Sequence, residues 1–232
     1  MTLLIAMDGV SVRWCRLADG ASTAHAVIEQ ASVDAWSQAL PTDAPTRVVA
    51  CAQSDVWASE FSAFCRDRWQ IEAQWPEAPH TEMSMTRWAA LAYVRVQSGV
   101  HVVVHADQRT TIDGLEAGGQ HHALGKLPGM ALMQSALYQQ TKGIQLSALR
   151  EAAVLGDVFA LNTAGGVQAG AHRLSVAWID TVVSQFEVKL GTTVTVWITG
   201  SQAGALSSLA HPVTRCDDLV LRGLKMLTDS SL

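Results

Sequence analysis

Two short apolar runs, Leu3–Met7 and Val10–Leu17, flank the dipeptide Asp8-Gly9 near the start of the chain. Asp-Gly between apolar runs is a hairpin signal, because both central residues of a type I′ turn need positive φ. The same grammar returns a hundred residues later. Val100–Ala106 and Thr110–Leu115 are strand-like and separated by a polar turn, and Gly118-Gly119 punctuates a third run that reaches Leu124. A meander that occurs twice, each time followed by helix-period sequence, restricts the chain to an α/β architecture built from two similar halves.

The segments between the meanders fill in that layout. Ala24–Ile28 reads as the third strand of the first half. Val33–Leu40 is a helix stopped by Pro41, Arg47–Ala52 a strand, and Ser54–Trp69 an amphipathic helix with Ser54 as N-cap. Met83–Gln97 is a helix closed by Gly99. In the second half, helices follow over Met130–Gln140, Leu146–Val154 and from near Phe159 to Leu190. The β-branched run Thr193–Thr199 is a strand, and the chain ends in a short helix, a turn and a final helix. This order is that of the two-domain actin-like (ribonuclease-H-like) fold, with halves at residues 1–99 and 100–232.

Composition excludes several functions. The 232 residues carry a formal net charge of −5, and no basic run exceeds two residues. That argues against nucleic acid and against an anionic membrane surface. The start MTLLIAMDG lacks the basic region and the apolar length of a signal peptide, and no stretch approaches the ~18 apolar residues of a membrane span. Cys15, Cys51, Cys65 and Cys216 are scattered, as suits buried thiols in a reducing cytoplasm. Trp36, Trp57, Trp69, Trp88 and Trp178 fall at helix-core spacings and read as packing. His121 and His122 are strand neighbours that face opposite ways, so a shared metal is not expected.

Seven segments in order carry a resemblance: LLIAMDGVSVRW from Leu3, MTRWAAL from Met85, VVHADQRTTID from Val103, LPGMALMQSAL from Leu127, LNTAGGVQAG from Leu161, ITGSQAG from Ile198 and DDLVLRGLKML from Asp217. Together they resemble the type III pantothenate kinase family, whose corresponding patterns include L-I-D-x-G-N-T/S-R-x-K-W, V-D-x-G-T-A-x-T-x-D, L-T-G-G-D-A and D-L-V-L-x-G-L. The scaffold positions match and the chemistry positions do not. Aligned on Trp14, the family's first aspartate falls on Ala6, its glycine on Asp8, its asparagine on Gly9, its hydroxyl residue on Val10 and its lysine on Arg13. Aligned on Asp113, the second aspartate falls on His105, the glycine on Asp107 and the threonine on Gln108.

The resemblance implies ATP-dependent phosphorylation of pantothenate, the first step of coenzyme A biosynthesis, by hairpin loops facing a cleft between the halves. One carboxylate would hold metal and another would remove the hydroxyl proton. With Ala6 and His105 in those places, the implied reading is a silent or strongly impaired homologue that acts by binding or regulation. Two alternatives stay open: an active divergent kinase in which His105, Asp107 or Asp8 substitutes, and a cleft that holds another small molecule. Asp8, Gly9, Arg13, Thr110, Thr199 and Gly200 take the nucleotide and phosphate-loop positions. Arg87 and Thr163 take pantothenate-pocket positions, and Asp113 the position linked to a monovalent cation, with structural ion pairs as the alternative for Arg87 and Asp113. No divalent-metal ligand is assigned, and Mg-ATP with a monovalent cation is implied only for an active enzyme. Asn162-Thr163 begins a helix or faces the dimer contact. The implied assembly is a cytoplasmic homodimer, joined through long helices of the second half, with a pantothenate-like ligand or an unidentified protein as partner.

His105 and Asp107 also share a strand face by their i, i+2 spacing. A relocated carboxylate pair at Asp8 and Asp107 would sit roughly 6.6 Å from the family positions, so turn formation is the plainer role for each.

Overall fold

The computed structural model describes residues 1–7, 11–18, 21–28, 32–79, 83–140, 162–206 and 208–229, with residues 18 and 21–28 described by backbone. The chain divides into two compact units, Met1–Ser98 with Cys216–Leu232, and Gly99–Arg215.

The first unit is built on a sheet of β1 (Thr2–Met7), β2 (Val12–Ala18), β3 (Ala21–Ile28), β4 (Arg47–Ala52) and β5 (Ala73–Gln74) in the order β3-β2-β1-β4-β5. The first three strands form an antiparallel meander, and β4 then pairs parallel to β1. The last described pair of the first hairpin is Met7 with Val12, which leaves residues 8–11 between the strands. The two-residue turn read from Asp8-Gly9 lies outside the described residues.

Alternation along β1 sends Leu3, Ile5 and Met7 to one face, where they join Trp36 of α1 (Val33–Ala39) and Phe61, Phe64, Cys65 and Trp69 of α2 (Asp55–Trp69). Trp36 stands edge-on to both phenylalanines, with ring centroids 5.3 and 5.8 Å apart, an arrangement favoured by the aromatic quadrupole. The Ser32 hydroxyl caps α1 by accepting from Ala35 N at 3.2 Å. Ser54 holds the N-cap position of α2 but makes no side-chain cap bond.

The final helix differs from expectation. The sequence suggests that everything after Gly99 belongs to the second half, yet the last helix, α6 (Leu219–Asp229), packs on α3 (Met85–Val94) in the first unit. The cause is local. Leu219, Val220, Leu221 and Leu224 form a buried stripe, and Gly223 faces the backbone of Ala89. A Cβ at residue 223 would lie 1.6 Å from the Ala89 carbonyl oxygen, so only glycine permits this crossing. Arg222 Nη1 donates to the Tyr93 hydroxyl at 3.3 Å, and Arg13 donates to the carbonyl of Asp217 just ahead of the helix.

The second unit repeats the sheet as β10-β9-β6-β7-β8, with β6 (His101–Ala106), β7 (Arg109–Leu115), β8 (His121–Pro128), β9 (Thr195–Thr199) and β10 (Val213–Arg215). Again three antiparallel strands are joined by parallel ones. Val102, Val104, Ala106, Ile112, Val196 and Ile198 form the core face. Against it lie α4 (Met130–Gln140) and the 28-residue α5 (Thr163–Leu190). Ring atoms of Phe186 and Trp178 sit 2.6 and 2.7 Å from where Cβ atoms of Gly114 and Gly125 would be. The two missing side chains let the helix lie directly on the strands. Asn162 Oδ1 caps α5 by accepting from Gly165 N at 2.8 Å, so this helix opens at Thr163. The expected start near Phe159 and the expected helix over 146–154 fall outside the described residues.

Among the described residues, no helix is long and apolar enough to cross a membrane.

Candidate functional site

The inner strand β6 is buried on both faces. Val102, Val104 and Ala106 point into the core, so His101, Val103 and His105 must face the other way. Register places Thr111 and Thr199 beside His105, and Asp113 and Trp197 beside Val103. The polar residues singled out on the strands of the second unit thus share one side of the sheet, apart from Thr110, which pairs with Ala106.

Asp107 follows β6 directly, and its carboxylate is fully enclosed. Three donors converge on it. His105 Nε2 lies 2.6 Å from Oδ2, while Ser201 N and Ser201 Oγ donate to Oδ1 at 2.6 and 2.7 Å. Burial pushes this carboxyl up, but the His105 hydrogen bond and charge and the two Ser201 donors outweigh it, holding the pKa down at about 2. Asp107 is therefore an ionised, saturated acceptor at neutral pH.

The backbone around it is equally fixed. Gln202 Nε2 donates to the Asp107 carbonyl at 2.7 Å, and Gln202 N donates to the Ala106 carbonyl at 2.9 Å. Gly200 has φ +104, and a Cβ there would fall 2.3 Å from the Ala106 carbonyl oxygen. A Cβ on Gly129 would fall 1.9 Å from the Asp107 carbonyl oxygen. These glycines let three chain segments, 106–108, 129 and 200–202, meet backbone to backbone. A cavity of about 350 Å³ opens beside this knot, lined among others by Gln134, His172, Ser201, Gln202 and Arg215.

The other expected residues are distributed as follows. Thr110 and Thr199 are buried next to the knot. Asp113 is buried, and its Oδ1 lies 2.6 Å from His121 Nε2. The carboxylate expected to face a monovalent cation is engaged by an imidazole. His122 turns instead to Glu116 at 2.7 Å, so the two neighbouring histidines do face different carboxylates. Thr163 is the exposed first residue of α5. In the first unit, Ala6 is a buried methyl on β1, Arg13 is drawn to the Asp217 carbonyl, and Arg87 is buried in the first turn of α3. Asp8 and Gly9 lie outside the described residues. No group of three or more histidine, cysteine or carboxylate side chains among the described residues could hold a metal.

Reading the sequence singled out His105 and Asp107 but missed Ser201 and Gln202, the two residues that hold them. The available signal was a paired departure. Where the family pattern has glycine, residue 107 is aspartate and residue 201 is serine, and these two side chains bond each other.

Chemically, the arrangement can hold one buried negative charge very firmly. It offers no free carboxylate to a metal, and His105 Nε2 is already committed. The Asp107 oxygens are enclosed and taken by Ser201 and His105, so they give a metal ion no open ligand.

The comparisons with known proteins agree on a relationship. The sequence matches the type III pantothenate kinase family over residues 15–185. It is 28% identical over 252 aligned positions to the type III pantothenate kinase of Nitrosococcus oceani, covering 97% of this chain and 92% of that one. It is 25% identical over 166 positions to that of Alcanivorax borkumensis, covering 71% of this chain and 65% of that one. Among solved structures, a Campylobacter jejuni protein described as a Baf family transcriptional activator superposes with a TM-score of 0.59 at 16% identity, covering 99% and 98% of the two chains. That likeness, with two sheets of identical strand order, is the actin-like α/β fold expected from the sequence. On the extent of the family match, the chain belongs to the type III pantothenate kinase family.

Proposed function

We propose that this chain is a type III pantothenate kinase homologue that has lost phosphoryl transfer and acts by binding, as a homodimer in the reducing cytoplasm. One observation carries the reading. The two strand-end positions that would supply the family's carboxylates hold a buried methyl at Ala6 and, at residue 105, an imidazole bonded to Asp107 at 2.6 Å. A methyl offers no oxygen to a metal. A ring nitrogen already donating to a buried carboxylate is a positioned structural group, and losing a general base alone costs roughly 10²–10⁴ in rate.

Retention of the buried guanidinium of Arg87, at a position that the family resemblance ties to pantothenate, supports a pantothenate-like acid as ligand. All four cysteines are buried and none forms a disulfide, which suits a reducing compartment. Exposed apolar residues on the long helices of the second unit, Leu132, Leu137 and Leu174, support the dimer. In this reading the bound acid, not a product, is what a protein partner would sense.

Calorimetric titration with pantothenate and, separately, with Mg-ATP tests the reading. The expected result is binding of the acid without tight binding of the nucleotide. A micromolar dissociation constant for Mg-ATP, about −8 kcal/mol, would overturn it and favour the active-kinase alternative.

A further inference from the structure

The geometry points to an anion-binding site in the second unit, formed by Ser201 N–H, Ser201 O–H and the His105 ring, that the chain keeps filled with its own Asp107 carboxylate. The ligand class is a small oxyanion, a carboxylate or an inorganic phosphate, and the native chain excludes it by supplying an internal substitute. This inference rests on contacts within the second unit and does not depend on the silent-kinase reading.

The argument starts from the donors. Three hydrogen-bond donors from two chain segments hold the two oxygens of one carboxylate, Ser201 N–H and O–H on Oδ1 at 2.6 and 2.7 Å and the His105 ring on Oδ2 at 2.6 Å, and so define an anion cradle, as N–H and O–H groups do where they converge in a concavity. Such donors are costly to leave empty when buried. The backbone that carries Ser201 is tied independently of the carboxylate. Gln202 ties its own N–H to the Ala106 carbonyl and its amide to the Asp107 carbonyl, at 2.9 and 2.7 Å. Close backbone approach at Gly129 and Gly200 leaves those segments no room to move inward. Removing the residue 107 carboxylate would therefore leave a rigid hole with its donors in place, rather than a collapsed one. A cavity of polar lining and fixed shape takes in a complementary small ligand from solution.

The test is chemical rescue of Asp107→Ala. Thermal unfolding is followed as sodium chloride is exchanged for sodium formate at constant ionic strength, with acetate and phosphate as further probes. The variant is expected to melt lower than the wild type. Formate should raise its midpoint saturably, by roughly 5–10 °C at saturation, while leaving the wild type and Asp107→Asn, whose side chains fill the hole, unmoved. Adding Ser201→Ala to Asp107→Ala should weaken the formate midpoint concentration about tenfold by removing one donor. If Asp107→Ala is unfolded in chloride, formate-dependent recovery of its far-UV circular dichroism is the supporting result. No saturable rescue, equal rescue of the wild type, rescue indifferent to Ser201→Ala, or no recovery in formate would each overturn the proposal.

Discussion

Replacing Asp107 with asparagine keeps the shape of the side chain and removes its charge, so it isolates the electrostatic part of the His105–Asp107–Ser201 knot. The Asp107 carboxyl, held down at about 2 and so well below the usual carboxylate range, contributes roughly 2–3 kcal/mol of stability. The sign follows from the direction of the shift. A depressed carboxyl contributes fully above its unfolded value, loses that contribution as pH falls below it, and contributes nothing once pH is under the folded value. Urea unfolding at pH 7 should therefore show Asp107→Asn less stable than wild type by about 2–3 kcal/mol. For a chain of this size that is roughly 5–10 °C in melting temperature. The gap should narrow steeply between pH 4 and pH 2. A variant within about 0.5 kcal/mol of wild type at pH 7, or a gap that stays constant into acid, would refute the assignment of Asp107 as a buried, saturated anion.

Further predictions concern the scaffold. Gly223→Ala should destabilise the first unit by about 1–3 kcal/mol or more, because its Cβ would overlap the Ala89 carbonyl. Urea midpoints check this, and an unchanged midpoint would contradict the close α3–α6 crossing. Asn162→Ala should cost about 1 kcal/mol and Asn162→Gly only a few tenths, since the side chain caps α5 at 2.8 Å. Burial pushes the Cys65 and Cys216 thiols up to about 12, aided by Glu72 for the first and by Asp218 for the second. Native protein at pH 8.5 should therefore alkylate at these two residues far more slowly than urea-unfolded protein, on the order of a thousandfold, as read by peptide mass mapping.

How much of this was legible in the residues depended on how local the cause was. The two meanders were readable because period-2 apolar runs and turn residues act within a few positions. The two-residue β5 and three-residue β10 were not, since strands so short exist only because β4 and β9 offer them an edge. Allegiance of α6 to the first unit was hidden for a similar reason. The helix itself was plain, but its partner α3 lies more than a hundred residues earlier, and only Gly223 hinted at a close crossing. In the site, i, i+2 spacing correctly put His105 and Asp107 on one side of the strand. It could not show that Ser201, 94 residues further on, completes the set. The sequence clue was the joint replacement of two family glycines, at 107 and 201, which becomes meaningful only when the two loops are seen to touch.

The most direct test of the central claim is pantothenate-dependent ADP release, measured side by side for the wild type, His105→Ala and a variant restored to the family pattern at positions 6, 8, 9, 10, 105, 107 and 108. The account predicts no release above background for the wild type or His105→Ala, with any gain confined to the combined variant, because positioning and charge stabilisation act together and are non-additive. Robust wild-type turnover that His105→Ala abolishes would contradict it, by showing that the imidazole is a working base and not a member of a closed structural knot.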